Sequence, residues 1–223
     1  MIVTISRQLG SEGDLIAARV AEALGLLLVD REYTCKAALA AGMPAELLQK
    51  LMYEGQHSLA GQLMDSLGSS TPAEPTDRPA PSPGPLEGIF TPMLAPSSIN
   101  LEDGVRTIGR IVTDVASRGD VLVLGQGGQV WLSDCKGACH VQVVAPYNLR
   151  IERVATRENV SRATARRRVR TSDQARAEYL ARYHGVNWLD PMLYHYVVNT
   201  GRTSADVAVS LVIHAAQMIR GEA

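Results

Sequence analysis

The chain has 223 residues, enough for one domain with an insertion, and its 46% of apolar residues can fill a core. A formal net charge of −1 excludes a global attraction to nucleic acid or to a membrane surface. The sequence has three cysteines, no recognisable targeting peptide and no apolar run long enough to cross a bilayer. We therefore expect one soluble, cytoplasmic domain over residues 1–223, with reduced thiols and no membrane association.

The first predicted element is a short buried strand at residues 2–5, followed by Gly10, Ser11 and Gly13. Apolar residues then recur every four positions from Ile16 onward, which indicates one face of a helix. A strand, a glycine-containing turn and a helix together direct backbone N–H groups at a phosphate. The same pattern also fits an ordinary strand-to-helix turn, and both interpretations stay open at this point.

Further strands and helices alternate along the rest of the chain. The predicted strands are residues 2–5, 26–29, 121–124, 140–145 and 196–199. Helical patterns fill residues 33–67, with a break near Gly42, and recur after Asn100, Pro146, Ser161 and Ser204 or Thr203. Alternation of this kind predicts right-handed crossovers and a mainly parallel sheet covered on both faces.

Residues 66–98 have a different composition from the rest of the chain. Eight of the eleven prolines lie between Pro72 and Pro96, mixed with serine, threonine and glycine. Such a stretch cannot build a core, so we expect a flexible insertion rather than a folded domain.

An arginine-rich stretch runs from residue 150 to residue 182, with ten arginines, four acidic residues and no lysine. Guanidinium groups bind phosphate oxygens in pairs and remain charged, so a helix in this region can act as a polyphosphate clamp. A solvated helix and a nucleic-acid patch are the alternatives. Cys135, Cys139 and His140 lack a fourth ligand at a usual spacing, and no metal site is predicted from them.

Five ordered blocks of the sequence resemble the cytidylate kinase-like family, a branch of the P-loop nucleoside monophosphate kinases. Residues 5–17, Ile-Ser-Arg-Gln-Leu-Gly-Ser-Glu-Gly-Asp-Leu-Ile-Ala, are similar to the family opening Ser-Arg-Gln-x-Gly-Ser-Gly-Gly-Arg-x-Ile-Ala. The other similar blocks are residues 29–32, 124–127, 144–153 and 173–200. The resemblance leaves out the proline-rich middle of the chain.

This resemblance implies a three-layer αβα sandwich with a five-stranded parallel sheet, in which residues 160–190 form an arginine lid. It also implies transfer of the γ-phosphoryl group of ATP, with Mg²⁺, to a nucleoside monophosphate or a related small molecule. The implied phosphate-binding residues are Ser6, Gly10, Ser11, Glu12, Gly13 and Asp14. The implied acceptor-binding residues are Asp30, Arg31, Gln126 and Arg150. The implied catalytic residues are Arg7, Arg166, Arg170, Asp173 and Arg176. Trp131, Trp188 and Tyr179 are expected to pack rather than to bind a ligand.

Four residues depart from the family pattern. Glu12 and Asp14 place carboxylates where the family has glycine and arginine, and they repel a triphosphate. Gln126 replaces a family arginine and His195 a family aspartate. Two hypotheses therefore stay open: an active kinase with an altered phosphate loop, and a catalytically degenerate member that acts as a nucleotide sensor or protein-interaction scaffold. A nucleic-acid binder is the third and least favoured alternative, and the sequence leaves homodimer formation open.

Overall fold

The computed structural model of the protein describes residues 1–53 and 100–222. The predicted insertion at residues 66–98 lies outside this range. The strands are β1 (Ile2–Arg7), β2 (Leu27–Val29), β3 (Val121–Leu124), β4 (Ala138–Val144) and β5 (Tyr196–Asn199). The helices are α1 (Gly13–Leu24), α2 (Arg31–Ala40), α3 (Ala45–Tyr53), α4 (Leu101–Ser117), α5 (Gly128–Trp131), α6 (Tyr147–Glu158), α7 (Arg162–His184) and α8 (Ala205–Glu222). A short 3-10 helix, Pro191–Leu193, precedes β5.

The five strands form one parallel sheet in the order β2-β3-β1-β4-β5. Alternate strand residues point to opposite faces. Val3, Ile5 and Val141 pack with α1 and α8, whereas Val121 and Val123 pack with α4. The predicted five-stranded parallel sheet in a three-layer arrangement is thereby confirmed.

Several helix boundaries follow local signals in the sequence. Asn100 caps α4 by accepting a hydrogen bond from the Asp103 N–H, and Ser161 caps α7 in the same way. Gly185 ends α7 in the left-handed conformation, which a glycine adopts at no steric cost. These caps agree with the sequence-based expectations.

Two strands are longer than the apolar runs that predict them. The strand β1 continues past residue 5 to Arg7, because Ser6 and Arg7 still pair with Gln142 and Val143 of β4. The strand β4 begins at Ala138, two residues before the predicted start, where it pairs with Ile2. The extension of β1 places Arg7 at the carboxyl edge of the sheet, where open α/β sheets bind their ligands.

No helix in the described ranges is long and apolar enough to span a membrane. The strand β1 lies between β3 and β4, so the loop that follows it is at the centre of the sheet's carboxyl edge.

A buried histidine lies in the middle of the sheet. His140 of β4 is 5% exposed, and its Nδ1 lies 2.8 Å from the Thr4 hydroxyl on the neighbouring β1. Its ring stacks on that of His195 at a centroid distance of 5.1 Å. Burial, with a smaller contribution from His195, lowers the pKa of His140 to about 4. His140 is therefore neutral in the folded protein near neutral pH.

We predict that acid destabilises the fold through His140. The unfolded chain binds a proton near pH 6.5 and the folded chain only near pH 4, so stability is lost as the pH falls between these values. Between pH 7.5 and pH 5 the loss from this residue is about 2 kcal/mol. In urea unfolding, His140→Asn is expected to lose less free energy of unfolding between pH 7.5 and pH 5 than the wild type. His214→Asn, a change at an exposed position, is expected to lose as much as the wild type. An equal loss in all three proteins would contradict the assignment.

Candidate active site

The loop between β1 and α1 lies at the carboxyl edge of the sheet. Ile16 is the first residue of α1 whose N–H bonds back to a carbonyl, that of Glu12, at 3.0 Å. The N–H groups of Gly13, Asp14 and Leu15 precede any intrahelical acceptor and point out of the helix start. This geometry, with the positive end of the helix dipole, suits an anion such as a phosphate group.

The backbone of this loop is fixed by close contacts with the start of α6 and the end of β5. Gly10 has a φ of +81°, and a Cβ at this position would lie 2.6 Å from the carbonyl oxygen of Arg150. Ser11 is fully buried, and its hydroxyl donates to the Gln8 carbonyl at 2.8 Å. The Thr200 hydroxyl donates to the Ser11 carbonyl at 2.8 Å. The Ser11 hydroxyl is therefore used by the loop itself.

Glu12 occupies the position just before α1 and has a φ of 65°, which is uncommon for a residue with a side chain. Its carboxylate lies 3.1 Å from a guanidinium nitrogen of Arg153 on α6. Arg153 also donates to the Thr200 hydroxyl at 2.9 Å. The ion pair therefore ties this loop carboxylate to α6.

Arg7 passes between two glycines at the edge of the sheet. A Cβ at Gly13 would lie 2.4 Å from the Arg7 Cβ, and a Cβ at Gly125 would lie 2.4 Å from one guanidinium nitrogen. The Arg7 side chain is 15% exposed and has two nitrogens 3.0 Å from the same carboxylate oxygen of Asp14. Partial burial by itself raises the pKa of Asp14, but attraction to Arg7 lowers it overall. Asp14 is thus an anion already bound to Arg7.

A cavity of about 120 Å³ lies next to Arg7, between the sheet edge and α7. Its lining residues are Ser6, Arg7, Arg31, Leu51, Gly125, Gln126, Gly127, Gln129, Ala175, Arg176, Tyr179, Leu180 and Trp188. Arg176 donates to the Ser172 side chain and backbone on its own helix. Burial and the nearby Arg7 lower the pKa of Arg176 to about 9. Burial also lowers the pKa of Arg31. A bound anion stabilises such crowded cations.

The turn after β3 forms one wall of this cavity. Gly125, Gln126 and Gly127 have successive φ values of 76°, 56° and 69°. Three consecutive residues in the left-handed region make an unusual backbone, and Gln126 adopts it with a side chain. Backbone strain of this kind is often found at functional sites.

Arg150 and Asp173 pair with each other. The two guanidinium nitrogens of Arg150 donate to the two carboxylate oxygens of Asp173 at 2.9 and 2.8 Å. Arg150 is 4% exposed and also donates to the carbonyls of Ala145 and Leu9. The pair joins α7 to the loop after β1. The acceptor-binding role of Arg150 and the catalytic role of Asp173 stay predictions.

The predicted site residues fall into two groups. Ser6, Arg7, Arg31, Gln126 and Arg176 line the cavity, and Gly13 and Asp14 of the phosphate loop contact the lining residue Arg7. Asp30 lies outside the lining, and its carboxylate caps α2 by accepting a hydrogen bond from the Tyr33 N–H at 2.9 Å. Arg166 and Arg170 also lie outside the lining and are exposed on α7. The structure therefore does not bring Arg166 and Arg170 to the cavity, and their catalytic role stays a prediction.

Gln129, Tyr179 and Trp188 line the cavity although no ligand role is predicted for them from the sequence. Tyr179 lies three residues after Arg176 on α7, so the helical repeat places both on one face. From this spacing, the sequence could have predicted that Tyr179 lies on the same side of α7 as Arg176. Gln129 has no comparable pattern around it.

The chain belongs to the cytidylate kinase-like family, whose profile matches residues 2–202. A cytidylate kinase of Haloarcula marismortui is 27% identical over 129 residues, which are 57% of this chain and 67% of that protein. A uronate isomerase of Corynebacterium glutamicum is 32% identical over 104 residues, 47% of this chain and only 20% of that protein. The family and the sheet order together identify a P-loop kinase fold.

Among solved structures, an uncharacterized protein from Eubacterium ventriosum superposes with a TM-score of 0.64. The match covers 97% of this chain and 98% of that chain at 17% sequence identity. At this identity the likeness supports the fold alone.

The residues of the loop fit the phosphates of ATP and, in part, Mg²⁺. Backbone N–H groups at the start of α1 suit phosphate oxygens. Mg²⁺ in kinases is held by one or two carboxylates together with substrate phosphates, and Asp14 is the half-exposed carboxylate beside this loop. Within residues 1–53 and 100–222, no three His, Cys, Asp or Glu residues form a metal-binding group. The residues in these ranges therefore do not form a complete metal-binding site by themselves.

We predict that Asp14→Asn strengthens binding of inorganic triphosphate in the absence of magnesium. The carboxylate competes with a phosphate for Arg7, and its removal also ends charge repulsion. An affinity gain of about tenfold, or ~1.4 kcal/mol, is expected in isothermal titration calorimetry.

Glu12→Gln is the matched control, because Glu12 pairs with Arg153 rather than with Arg7. A smaller gain is expected for this variant. Weaker binding by Asp14→Asn would show that triphosphate does not compete for Arg7.

Proposed function

We propose that the protein is an ATP-dependent phosphotransferase that moves the γ-phosphoryl group to a nucleoside monophosphate or a related small anionic molecule. One observation carries this proposal. A cavity lined by Arg7, Arg31 and Arg176 adjoins a helix start that suits phosphate groups, within a kinase family. Phosphoryl transfer requires positioning and charge neutralisation more than covalent participation by the protein.

In this proposal the two halves of the site have different tasks. The N–H groups at the start of α1 bind the donor phosphates. Arg31 at the start of α2 faces the acceptor, and Arg176 of α7 neutralises charge on the transferring group. Arg7 lies between them, where two glycines leave room for its guanidinium. Mg²⁺, when bound with ATP, would neutralise charge on the β- and γ-phosphates, with Asp14 as the nearby carboxylate.

The proposed lid, residues 160–190, includes the whole of α7. Its cavity-lining face carries Ala175, Arg176, Tyr179 and Leu180. The pair Arg150–Asp173 holds this helix against α6. A cytoplasmic location and homodimer formation remain predictions from the sequence.

A second candidate function is a nucleotide sensor or protein-interaction scaffold without catalysis. The observation that favours it is the occupation of Arg7 and Arg153 by the loop carboxylates of Asp14 and Glu12. Calorimetry with ATP, together with a turnover assay, separates the two candidates. ATP binding without transfer to any nucleoside monophosphate supports the sensor, and transfer supports the kinase.

We predict that Arg176→Gln lowers kcat/KM for phosphoryl transfer by about 100-fold, because it removes a partly buried cation beside the transferring charge. ADP release is measured with ATP, Mg²⁺ and a panel of nucleoside monophosphates.

Arg167→Gln is the matched control on the same helix, at an exposed position outside the cavity lining. Its activity is expected to stay within about twofold of the wild type, as for other surface changes. Equal activity in both variants and the wild type would exclude the proposed role of Arg176.

A further inference from the structure

A polar residue lies inside the buried strand β4. Gln142 stands between Val141 and Val143 and is only 2% exposed. A buried amide without a partner costs free energy, so a partner is expected. The Gln142 Nε2 donates to the backbone carbonyl of Trp188 at 2.7 Å. Trp188 belongs to the loop after α7, residues 185–190, and Gln142 therefore joins this loop to the sheet.

A second side chain donates to the same carbonyl. The Tyr194 hydroxyl lies 2.7 Å from the Trp188 oxygen, and Tyr194 is 9% exposed. The Ser6 hydroxyl of β1 donates in turn to the Tyr194 oxygen. Ser6 and Gln142 are register partners on β1 and β4, so their side chains leave the sheet on the same face. A carbonyl oxygen has two lone pairs, and both lone pairs of the Trp188 carbonyl are thus used.

The loop after α7 supplies part of the wall of the cavity. Three lining residues are arginines, and four are apolar: Leu51, Ala175, Leu180 and Trp188. The α-helices α3 and α7 hold the first three of these apolar residues, whereas Trp188 lies outside any helix or strand. The position of Trp188 therefore depends on its packing and on the two hydrogen bonds to its carbonyl.

An apolar wall has a specific task in a phosphotransferase. Transfer moves the γ-phosphoryl group of ATP to an oxygen atom of the acceptor and releases ADP. Water at the same place takes the group instead, and the products are ADP, inorganic phosphate and a proton. Exclusion of water from a closed active site suppresses this side reaction. A displaced Trp188 would open the cavity to water on its apolar side.

We propose that Gln142 and Tyr194 are positioning residues that hold the Trp188 carbonyl, keep the apolar wall of the cavity closed and limit the loss of the γ-phosphoryl group to water. This inference rests on the proposed phosphotransferase function and adds two residues that do not line the cavity. They act through Trp188, and the proposal requires no contact between them and ATP or the acceptor.

The first test measures backbone hydrogen exchange of the free protein by mass spectrometry. Gln142→Leu and Tyr194→Phe each leave the Trp188 carbonyl with one donor in place of two. Exchange in peptides that cover residues 185–195 is expected to be about fivefold faster in both variants, with exchange in α4 unchanged. Tyr196→Phe is the matched control, because Tyr196 is 46% exposed on β5, and it is expected to exchange like the wild type. Unchanged exchange in Gln142→Leu and Tyr194→Phe would overturn the positioning role.

The second test measures the products formed from ATP and Mg²⁺ in the presence of a panel of nucleoside monophosphates. Inorganic phosphate reports hydrolysis, whereas ADP reports hydrolysis and transfer together. The ratio of hydrolysis to transfer is expected to rise about tenfold in Gln142→Leu and in Tyr194→Phe, because small displacements near reacting groups have large effects on rates. In Tyr196→Phe the ratio is expected to stay within about twofold of the wild type. A purely structural role leaves the ratio unchanged, since loss of folded enzyme lowers both rates in proportion.

The outcomes separate this inference from the proposed function. With an active wild type, an unchanged ratio in both variants overturns the inference while the phosphotransferase function stands. A wild type that releases no ADP with any member of the panel contradicts the proposed function, and the inference fails with it. If Gln142→Leu does not fold, Tyr194→Phe decides alone, because it removes a single oxygen atom and leaves the ring in place.

Discussion

A series of alternating charges links α7 to the loop after β1, and the candidate site depends on it. Arg150 pairs with Asp173 on α7, and Arg7 pairs with Asp14 on α1. Arg176 lies between the pairs, attracted by both carboxylates and repelled by both guanidinium groups. In such a partly buried network the loss of one partner leaves a charge poorly compensated, so the members act as a unit. The orientation of α7 relative to the loop is thereby fixed by electrostatics as well as by packing.

This network forms only because three glycines keep the backbone clear of it. Gly10 lets the loop rest on the Arg150 carbonyl, while Gly13 and Gly125 leave the channel through which Arg7 reaches Asp14. At Gly10 and Gly125 the backbone is also in the left-handed region, which favours glycine further. The glycines of the loop therefore serve the arginines of the site, and not only the approach of a phosphate to the backbone.

The sequence predicts those features that depend on local patterns. The sequence predicts the five strands, the helix caps at Asn100 and Ser161 and the end of α7 at Gly185. Each of these features depends on residues within one helical turn or one apolar run. The pairing of Arg150 with Asp173 cannot be predicted in this way, because the two residues are 23 positions apart and meet only when α6 packs on α7. For the same reason the pattern of arginines on α7 does not reveal which of them face the cavity.

The balance of charge around the cavity favours certain ligands over others. Arg7, Arg31 and Arg176 line it, and Asp14 is the carboxylate paired with one of them. A ligand that binds Arg7 must compete with Asp14, so part of its interaction energy is spent in separating an existing ion pair. A singly charged anion gains little over the carboxylate that it replaces. A phosphate group that carries more charge and more acceptor oxygens than a carboxylate gains more, because it can bind several guanidinium groups at once. In the proposed phosphotransferase, the loop carboxylate Asp14 would thus make the site selective for phosphate groups, and it would lower the affinity for every anion that binds Arg7.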